Sequence, residues 1–200
     1  MIARMMRVAA GRRGVSAAAI AALFVSMGSS DAQPGKPDPE SAKSACLQLT
    51  GQTIPSSSIG LPTGAATVTS ATFVPAQSTS GPATPHYCKV LGTIAPVDSA
   101  AQLIYFQLNL PFAWNGKALQ YGGGGFNGTL ITGLAPLRDA APGDPLPLAR
   151  GYATLGTDSG HQSASFAPNR IGEFGLNDEM LRNYGYAAYK KVRDLSLIHI

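Results

Sequence analysis

The chain has 200 residues, of which 44% are hydrophobic and 13% charged, so it can form an ordinary globular domain and lacks the composition of a disordered protein. Its formal net charge of +4 would suit a nucleic-acid partner. The basic excess is concentrated in the first thirteen residues, however, which removes the argument for nucleic acid from the rest of the chain. The residues concerned are Arg4, Arg7, Arg12 and Arg13.

The first 32 residues have the three parts of a secretory signal peptide. The arginines precede a short apolar run at residues 15–27, and small residues at Ser30 and Ala32 occupy the positions that a signal peptidase reads. The run is short for a membrane span, and an uncleaved anchor helix is the alternative. We predict cleavage after Ala32, which leaves 11 basic and 10 acidic residues. The mature protein is expected to be secreted or periplasmic, without membrane association.

The two cysteines, Cys46 and Cys88, are the only pair that a disulfide could join. An exported protein meets an oxidising compartment, which favours their pairing over the alternative of two buried free thiols. In the chain-entropy model, closing a loop of this length stabilises the fold by about 4 kcal/mol. Neither cysteine lies in a nucleophile motif, so we predict one structural disulfide.

The chain after the predicted cleavage site alternates between polar segments and strand-like runs. Residues 33–45 are polar and rich in proline, which predicts a flexible lead-in. Residues 66–74 (ATVTSATFV) are β-branched and alternate in polarity, as expected of a strand. Period-two patterning and short apolar runs then predict three further strands, at residues 86–95, 102–110 and 117–121.

The last of these runs leads into four consecutive glycines, in KALQYGGGGFNG. Glycine backbone can approach a ligand closely and direct N–H groups at it, which indicates an anion or oxyanion site. Residues 123–128 (GGGFNG) also fit the dinucleotide-binding fingerprint, but Pro136 interrupts the helix that such a site needs. A purely structural glycine turn is the other alternative.

Beyond the glycines, regular structure resumes after a proline-rich excursion. Four prolines in residues 129–150 exclude a long helix there. The short apolar run at residues 151–156 (GYATLG) indicates another strand. Residues 178–194 predict an amphipathic helix, in which Gly185 costs about 1 kcal/mol. Its predicted apolar face consists of Leu181, Tyr184, Ala188 and Val192.

Three segments, LPFAWNGKALQYGGGGFNG, RGYATLGTDSGHQ and NYGYAAYKKVRD, follow one another in this order. Together they resemble the tannase and feruloyl esterase family of secreted α/β-hydrolases, over roughly residues 45–194. The resemblance implies an α/β fold: the N-terminal part of an α/β-hydrolase sheet at residues 46–194, with a β-rich lead-in tied down by the disulfide. Residues 151–158 would be the fourth strand of that sheet, after the three runs before the glycines.

The resemblance gives the glycines a specific role. In α/β-hydrolases the loop after the third strand supplies one backbone N–H of the oxyanion hole, and the residue after the nucleophile supplies the other. Gly123 and Gly124 are the candidate donors, and the sequence does not decide between them. Gly125 and Phe126 are candidate substrate-binding residues. Donors aimed at the developing charge lower the barrier by a few kcal/mol each.

The other catalytic groups are not predicted in this sequence. No serine has the G-x-S-x-G flanks of a nucleophile elbow, which the resemblance places after the helix that ends near Asp194. The acid and base of the family follow the nucleophile, so neither Asp158 nor His161 inherits their roles. We expect an incomplete domain that is inactive by itself. Residues 195–200 (LSLIHI) depart from the family pattern and are expected to be a non-native tail, with no role for His199.

The activity implied by the resemblance is hydrolysis of aromatic or phenolic carboxylic esters, of feruloyl or galloyl type, by a serine acyl-enzyme mechanism in the full-length protein. The expected partner is a small phenolic ester and not nucleic acid. No metal ligands or cofactor are predicted in this sequence, although family members can carry calcium in a lid. The alternative function is that of a non-catalytic secreted binding domain that shares the opening strands of the fold.

Overall fold

The computed structural model describes residues 38–78 and 82–199, so the predicted signal peptide and the cleavage site after Ala32 lie outside the described residues. Across the described ranges, none of the helices combines the length and the apolar character that a bilayer crossing requires. The described residues form a six-stranded sheet.

The strands β1 to β6 span Thr53–Ile54, Ala66–Val74, Tyr87–Ile94, Ile104–Pro111, Ala118–Gln120 and Ala153–Thr157. The sheet has the order β1-β2-β3-β4-β6-β5. Its strands pair antiparallel except for β5 and β6, which are parallel. The five predicted strands are confirmed to within two residues at each end, whereas β1 was not predicted because it is only two residues long.

Helix α1 spans Pro39–Leu47 and overlaps residues 33–45, which the sequence predicted as a flexible lead-in. Its N-cap is Asp38, whose Oδ2 accepts a hydrogen bond from the Ser41 N–H at 3.1 Å. Proline is well suited to the first helical position, because its missing N–H would have no partner there. The helix forms because these local capping signals outweigh the proline-rich composition on which the prediction rested.

The predicted disulfide between Cys46 and Cys88 is confirmed, with both residues buried. It joins the last turn of α1 to the second residue of β3. The segment that begins at Cys46 and contains β1 and β2 is therefore covalently tied to β3, as the sequence predicted.

The predicted amphipathic helix is confirmed, in three consecutive parts. Helix α2 spans Asp178–Arg182, a π-helical segment spans Asn183–Ala187, and helix α3 spans Ala188–His199. Short 3₁₀ turns lie elsewhere, at Ser56–Ser58, Leu148–Arg150, Ser163–Ser165 and Ile171–Leu176.

The π-helical segment changes which residues of this helix are buried. Ala188 and Val192, after it, are buried as predicted, but Leu181, before it, is 49% exposed. Met180 is buried in its place. A π turn holds more residues than an α turn, so it rotates the buried face relative to a pattern read at 3.6 residues per turn.

The hydrophobic core lies between the sheet and the helices α1 and α3, which pack on β2 and on β4 and β6 respectively. Alternate residues of β3 and β4 supply much of it, as the period-two pattern predicted. Leu195 also belongs to the core, and α3 continues past Asp194, where the sequence predicted its end. The largest core side chain is that of Phe106.

Candidate functional site

The parallel pairing of β5 and β6 creates the candidate site. Parallel strands end at the same edge of a sheet, so the glycines after β5 lie beside the loop after β6. The Tyr121 N–H donates to the Leu155 carbonyl at 2.8 Å and extends this pairing to the first glycine. The junction of the π-helical segment with α3 lies over the same edge, where it contacts both loops.

The two candidate oxyanion donors have different surroundings. The Gly123 N–H donates to the Tyr189 hydroxyl oxygen at 3.3 Å. A Cβ at Gly123 would collide with the side-chain amide of Asn127, so a larger residue at this position would displace that amide. The Gly124 N–H makes no hydrogen bond with any residue that the structure describes, and the space where its Cβ would lie is open.

A hydrogen-bonded network joins the glycines to the loop after β6. The Ser159 hydroxyl donates to the Tyr189 hydroxyl at 3.1 Å, and Asn127 Nδ2 donates to Ser159 Oγ at 2.7 Å. Asn127 Nδ2 also lies 3.3 Å from the Thr157 carbonyl oxygen. The glycine loop, the loop after β6 and helix α3 therefore meet at the hydroxyl groups of Ser159 and Tyr189.

The candidate substrate-binding residues lie at the outer end of the glycine loop. Gly125 has a positive φ of 57°, and its carbonyl accepts a hydrogen bond from the Tyr184 hydroxyl at 3.0 Å. Phe126 is 52% exposed and meets the ring of Phe174 edge-on, at 6.1 Å between centroids. Trp114 is also partly exposed, and its Nε1 donates a hydrogen bond within its own turn, to the Lys117 carbonyl at 2.8 Å.

Asp158 is fully buried at the end of β6. Its Oδ1 accepts hydrogen bonds from the N–H groups of Tyr105 and Gly160, at 3.2 and 2.8 Å, and its Oδ2 accepts from Gln162 Nε2 at 2.6 Å. Burial raises the pKa of Asp158 to about 6, against the opposing effect of these hydrogen bonds. The carboxyl thus joins the loop after β6 to β4.

His161 is buried in an aromatic cluster. Its ring stacks on Phe174 with 3.8 Å between centroids and meets Tyr184 edge-on. Neither ring nitrogen makes a hydrogen bond of normal geometry with a described residue, and burial lowers the pKa of His161, opposed by the carbonyls of Phe126 and Ser159. A neutral, stacked imidazole supports the packing of this loop, as expected of a structural or pocket-lining residue.

The structure does not assemble a Ser–His–Asp triad from the loop after β6. Ser159 bonds to Tyr189, and Asp158 to backbone groups and the Gln162 side chain; neither is hydrogen-bonded to His161. Within residues 38–78 and 82–199, no three His, Cys, Asp or Glu side chains are grouped so that they could hold a metal ion.

A mixed sheet flanked by helices, with a glycine loop at the edge where parallel strands end, places the chain in the α/β-hydrolase class. The chain belongs to the tannase and feruloyl esterase family, because the family model of that description matches residues 88–199. The resemblance found in the sequence is thereby confirmed.

Individual relatives agree with this assignment. An uncharacterized esterase of Agrobacterium fabrum is 44% identical over 163 residues, which are 80% of this chain and 28% of that protein. The mono(2-hydroxyethyl) terephthalate hydrolase of Piscinibacter sakaiensis is 34% identical over 56% of this chain and 19% of the hydrolase. The chain therefore spans less than a third of the length of either relative.

Among solved structures, feruloyl esterase B from Aspergillus oryzae superposes with a TM-score of 0.48 at 23% identity. The match covers 77% of this chain and 28% of that one.

Sequence reasoning missed the polar residues that hold the glycine loop, namely Tyr189, Ser159 and Asn127. Tyr189 lies next to Ala188 on the helix and is only half-buried, so the apolar pattern did not single it out. Asn127 carried a usable signal, since asparagine tolerates the positive φ of 54° that it adopts beside the glycines. No comparable signal in the sequence marked Ser159.

Proposed function

We propose that this chain is the N-terminal part of a secreted or periplasmic carboxylic ester hydrolase that acts on aromatic or phenolic esters through a serine acyl-enzyme. Membership of an esterase family supports the reaction class. The proposal rests on one observation. The Gly124 N–H lies at the edge of the sheet where an oxyanion hole would form, and it has no hydrogen-bond partner among the described residues.

In the proposed reaction, a serine outside this chain attacks the ester carbonyl and gives its proton to a general base. Negative charge then develops on the carbonyl oxygen, where a glycine N–H and the N–H of the residue after the serine would stabilise it. Collapse of this intermediate releases the alcohol, which takes the proton, and leaves the acyl group on the serine. Water then cleaves the acyl-enzyme and releases the acid.

An aromatic acyl group is supported by two observations. Phe126 exposes half of its ring surface beside the glycines, which suits stacking on a planar acid. The Piscinibacter relative is named for hydrolysis of a terephthalate ester, which is an ester of an aromatic acid. Feruloyl and galloyl esters belong to the same chemical class.

Export is supported by the disulfide, since such bonds persist mainly in oxidising compartments. The predicted signal peptide and cleavage after Ala32 remain predictions, and sequencing the N-terminus of protein recovered from the periplasm or medium would test them. We expect the mature chain to begin at Gln33. Recovery of the protein with Met1 still present would contradict cleavage.

The enzymatic proposal is tested on a protein that continues this chain to the length of its relatives. We expect it to hydrolyse methyl ferulate or methyl gallate and to be labelled by a serine-directed phosphonate. The 200-residue chain, assayed in parallel, should show neither. Absence of both turnover and labelling in the longer protein would instead support a non-catalytic binding domain.

A further inference from the structure

We infer that Tyr189 is a positioning residue, which occupies the Gly123 N–H and thereby leaves the Gly124 N–H as the oxyanion donor of the loop. This inference rests on the proposed esterase function and decides between two glycines that the sequence left equivalent.

The first step of the argument is the use of the Gly123 proton. An N–H group has one proton, and at Gly123 it is directed at the Tyr189 hydroxyl. That hydroxyl also accepts a hydrogen bond from Ser159, whose oxygen accepts in turn from Asn127. Sharing the Gly123 proton with a substrate oxygen would weaken both bonds, whereas the Gly124 proton is uncommitted within the described residues.

The second step is the anchoring of the Tyr189 backbone. Tyr189 lies in the first turn of α3, directly after the fully buried Ala188. Its own carbonyl accepts a hydrogen bond from Gln120 Nε2 at 2.8 Å, which joins α3 to the last residue of β5. The tyrosine is thus fixed both to the helix and to the strand that leads into the glycines.

The third step is backbone strain at the two other members of the network. Asn127 and Ser159 are the non-glycine residues with positive φ in the described part of the chain, at 54° and 66°. The positive φ costs Ser159 about 1 kcal/mol or more and Asn127 less, because asparagine tolerates this region, and strain of this kind is concentrated at functional sites. Here the two strained residues are hydrogen-bonded to each other at 2.7 Å, and their bond leads to Tyr189.

The test compares Tyr189→Phe with Tyr184→Phe. Both changes remove a phenol that contacts the glycine loop, but Tyr184 bonds to the Gly125 carbonyl and not to Gly123. In the 200-residue chain, hydrogen exchange of the Gly123 amide measured by NMR should accelerate about tenfold in Y189F, in line with the loss of a hydrogen bond. It should stay within about twofold in Y184F.

A kinetic measurement uses the protein extended to the length of its relatives. Because small displacements of a catalytic group are costly, we expect Y189F to lower kcat about 10- to 100-fold with little change in KM. Ser159→Gly, which removes the second hydroxyl and suits the positive φ, should act in the same direction and more weakly. It also provides a second variant if Y189F fails to fold.

Unchanged exchange at Gly123 in both Y189F and S159G would overturn the inference, as would unchanged kcat in an extended Y189F enzyme. An unsubstituted extended protein without turnover would refute the proposed function instead. In that case the exchange measurement still decides whether Tyr189 holds Gly123.

Discussion

The carboxyl of Asp158 has no exposed surface, yet backbone N–H groups hold it as if it were charged. Its pKa is about 6 instead of 3.8, because the cost of burial outweighs the hydrogen bonds. Folding therefore favours the protonated form. The resulting stabilisation is full below about pH 4 and is lost as the pH rises through 6, and the pKa difference corresponds to about 3 kcal/mol.

Asp158→Asn should remove this pH dependence, because the amide keeps an oxygen acceptor for Tyr105 and Gly160 but does not titrate. We expect the free energy of unfolding, measured by urea denaturation, to fall between pH 4.5 and 7 in the unsubstituted chain by about 2 kcal/mol more than in D158N. The control is Asp139→Asn, which removes an exposed carboxyl. Equal pH slopes in D158N and the unsubstituted chain would contradict the assignment.

At the scale of elements, Glu179 and Lys191 connect α2 to α3 across the π-helical segment. Lys191 is 2% exposed, with Nζ 3.0 Å from Asn183 Oδ1 and 3.6 Å from Glu179 Oε1. Glu179 also accepts hydrogen bonds from the N–H groups of Val97 and Asp98, at 3.0 and 2.7 Å. Burial lowers the pKa of Lys191, and the charge of Glu179 opposes this.

Glu179→Ala should therefore destabilise the chain by about 3 kcal/mol, because it leaves a buried ammonium without its carboxylate and two backbone donors without an acceptor. The matched control is Lys190→Met. It breaks a pair with Asp194 at the partly exposed face of the same helix, and should cost at most about 1 kcal/mol. Urea denaturation of both variants measures the difference. Similar losses of unfolding free energy in the two variants would show that the buried ion pair stabilises the chain no more than the partly exposed one.

In the molecule as a whole, the features that could be predicted from the sequence are those that depend on local patterns. Five strands and the long helix were predicted because alternation and 3.6-residue periodicity are properties of consecutive residues. The buried face of α2 was misassigned because a π turn is not visible in such a pattern. The network of Tyr189, Ser159 and Asn127 could not be predicted, because it joins residues at least 30 positions apart and depends on the parallel pairing of β5 with β6.

The disulfide supports a prediction at the scale of the whole molecule, since it links residues 42 positions apart and attaches α1 to the sheet. Replacing both cysteines, Cys46→Ser with Cys88→Ser, should lower the free energy of unfolding by about 4 kcal/mol, because the unfolded chain is no longer constrained. Dithiothreitol should destabilise the unsubstituted chain to a similar extent and leave the double variant unaffected. Equal stability of the two chains without reductant would contradict this prediction.

The same double variant separates global stability from the geometry of the site. In the sheet order, β3 lies three strands away from β5, and the core cluster that contains both cysteines includes no residue of the glycine loop. Loss of the disulfide should therefore speed amide exchange at Gly123 only through global unfolding, in proportion to the core amides of β3 and β4. Tyr189→Phe should do the opposite and accelerate Gly123 selectively. Exchange that rises at Gly123 alone in the cysteine variant would show that the lead-in is coupled to the glycine loop.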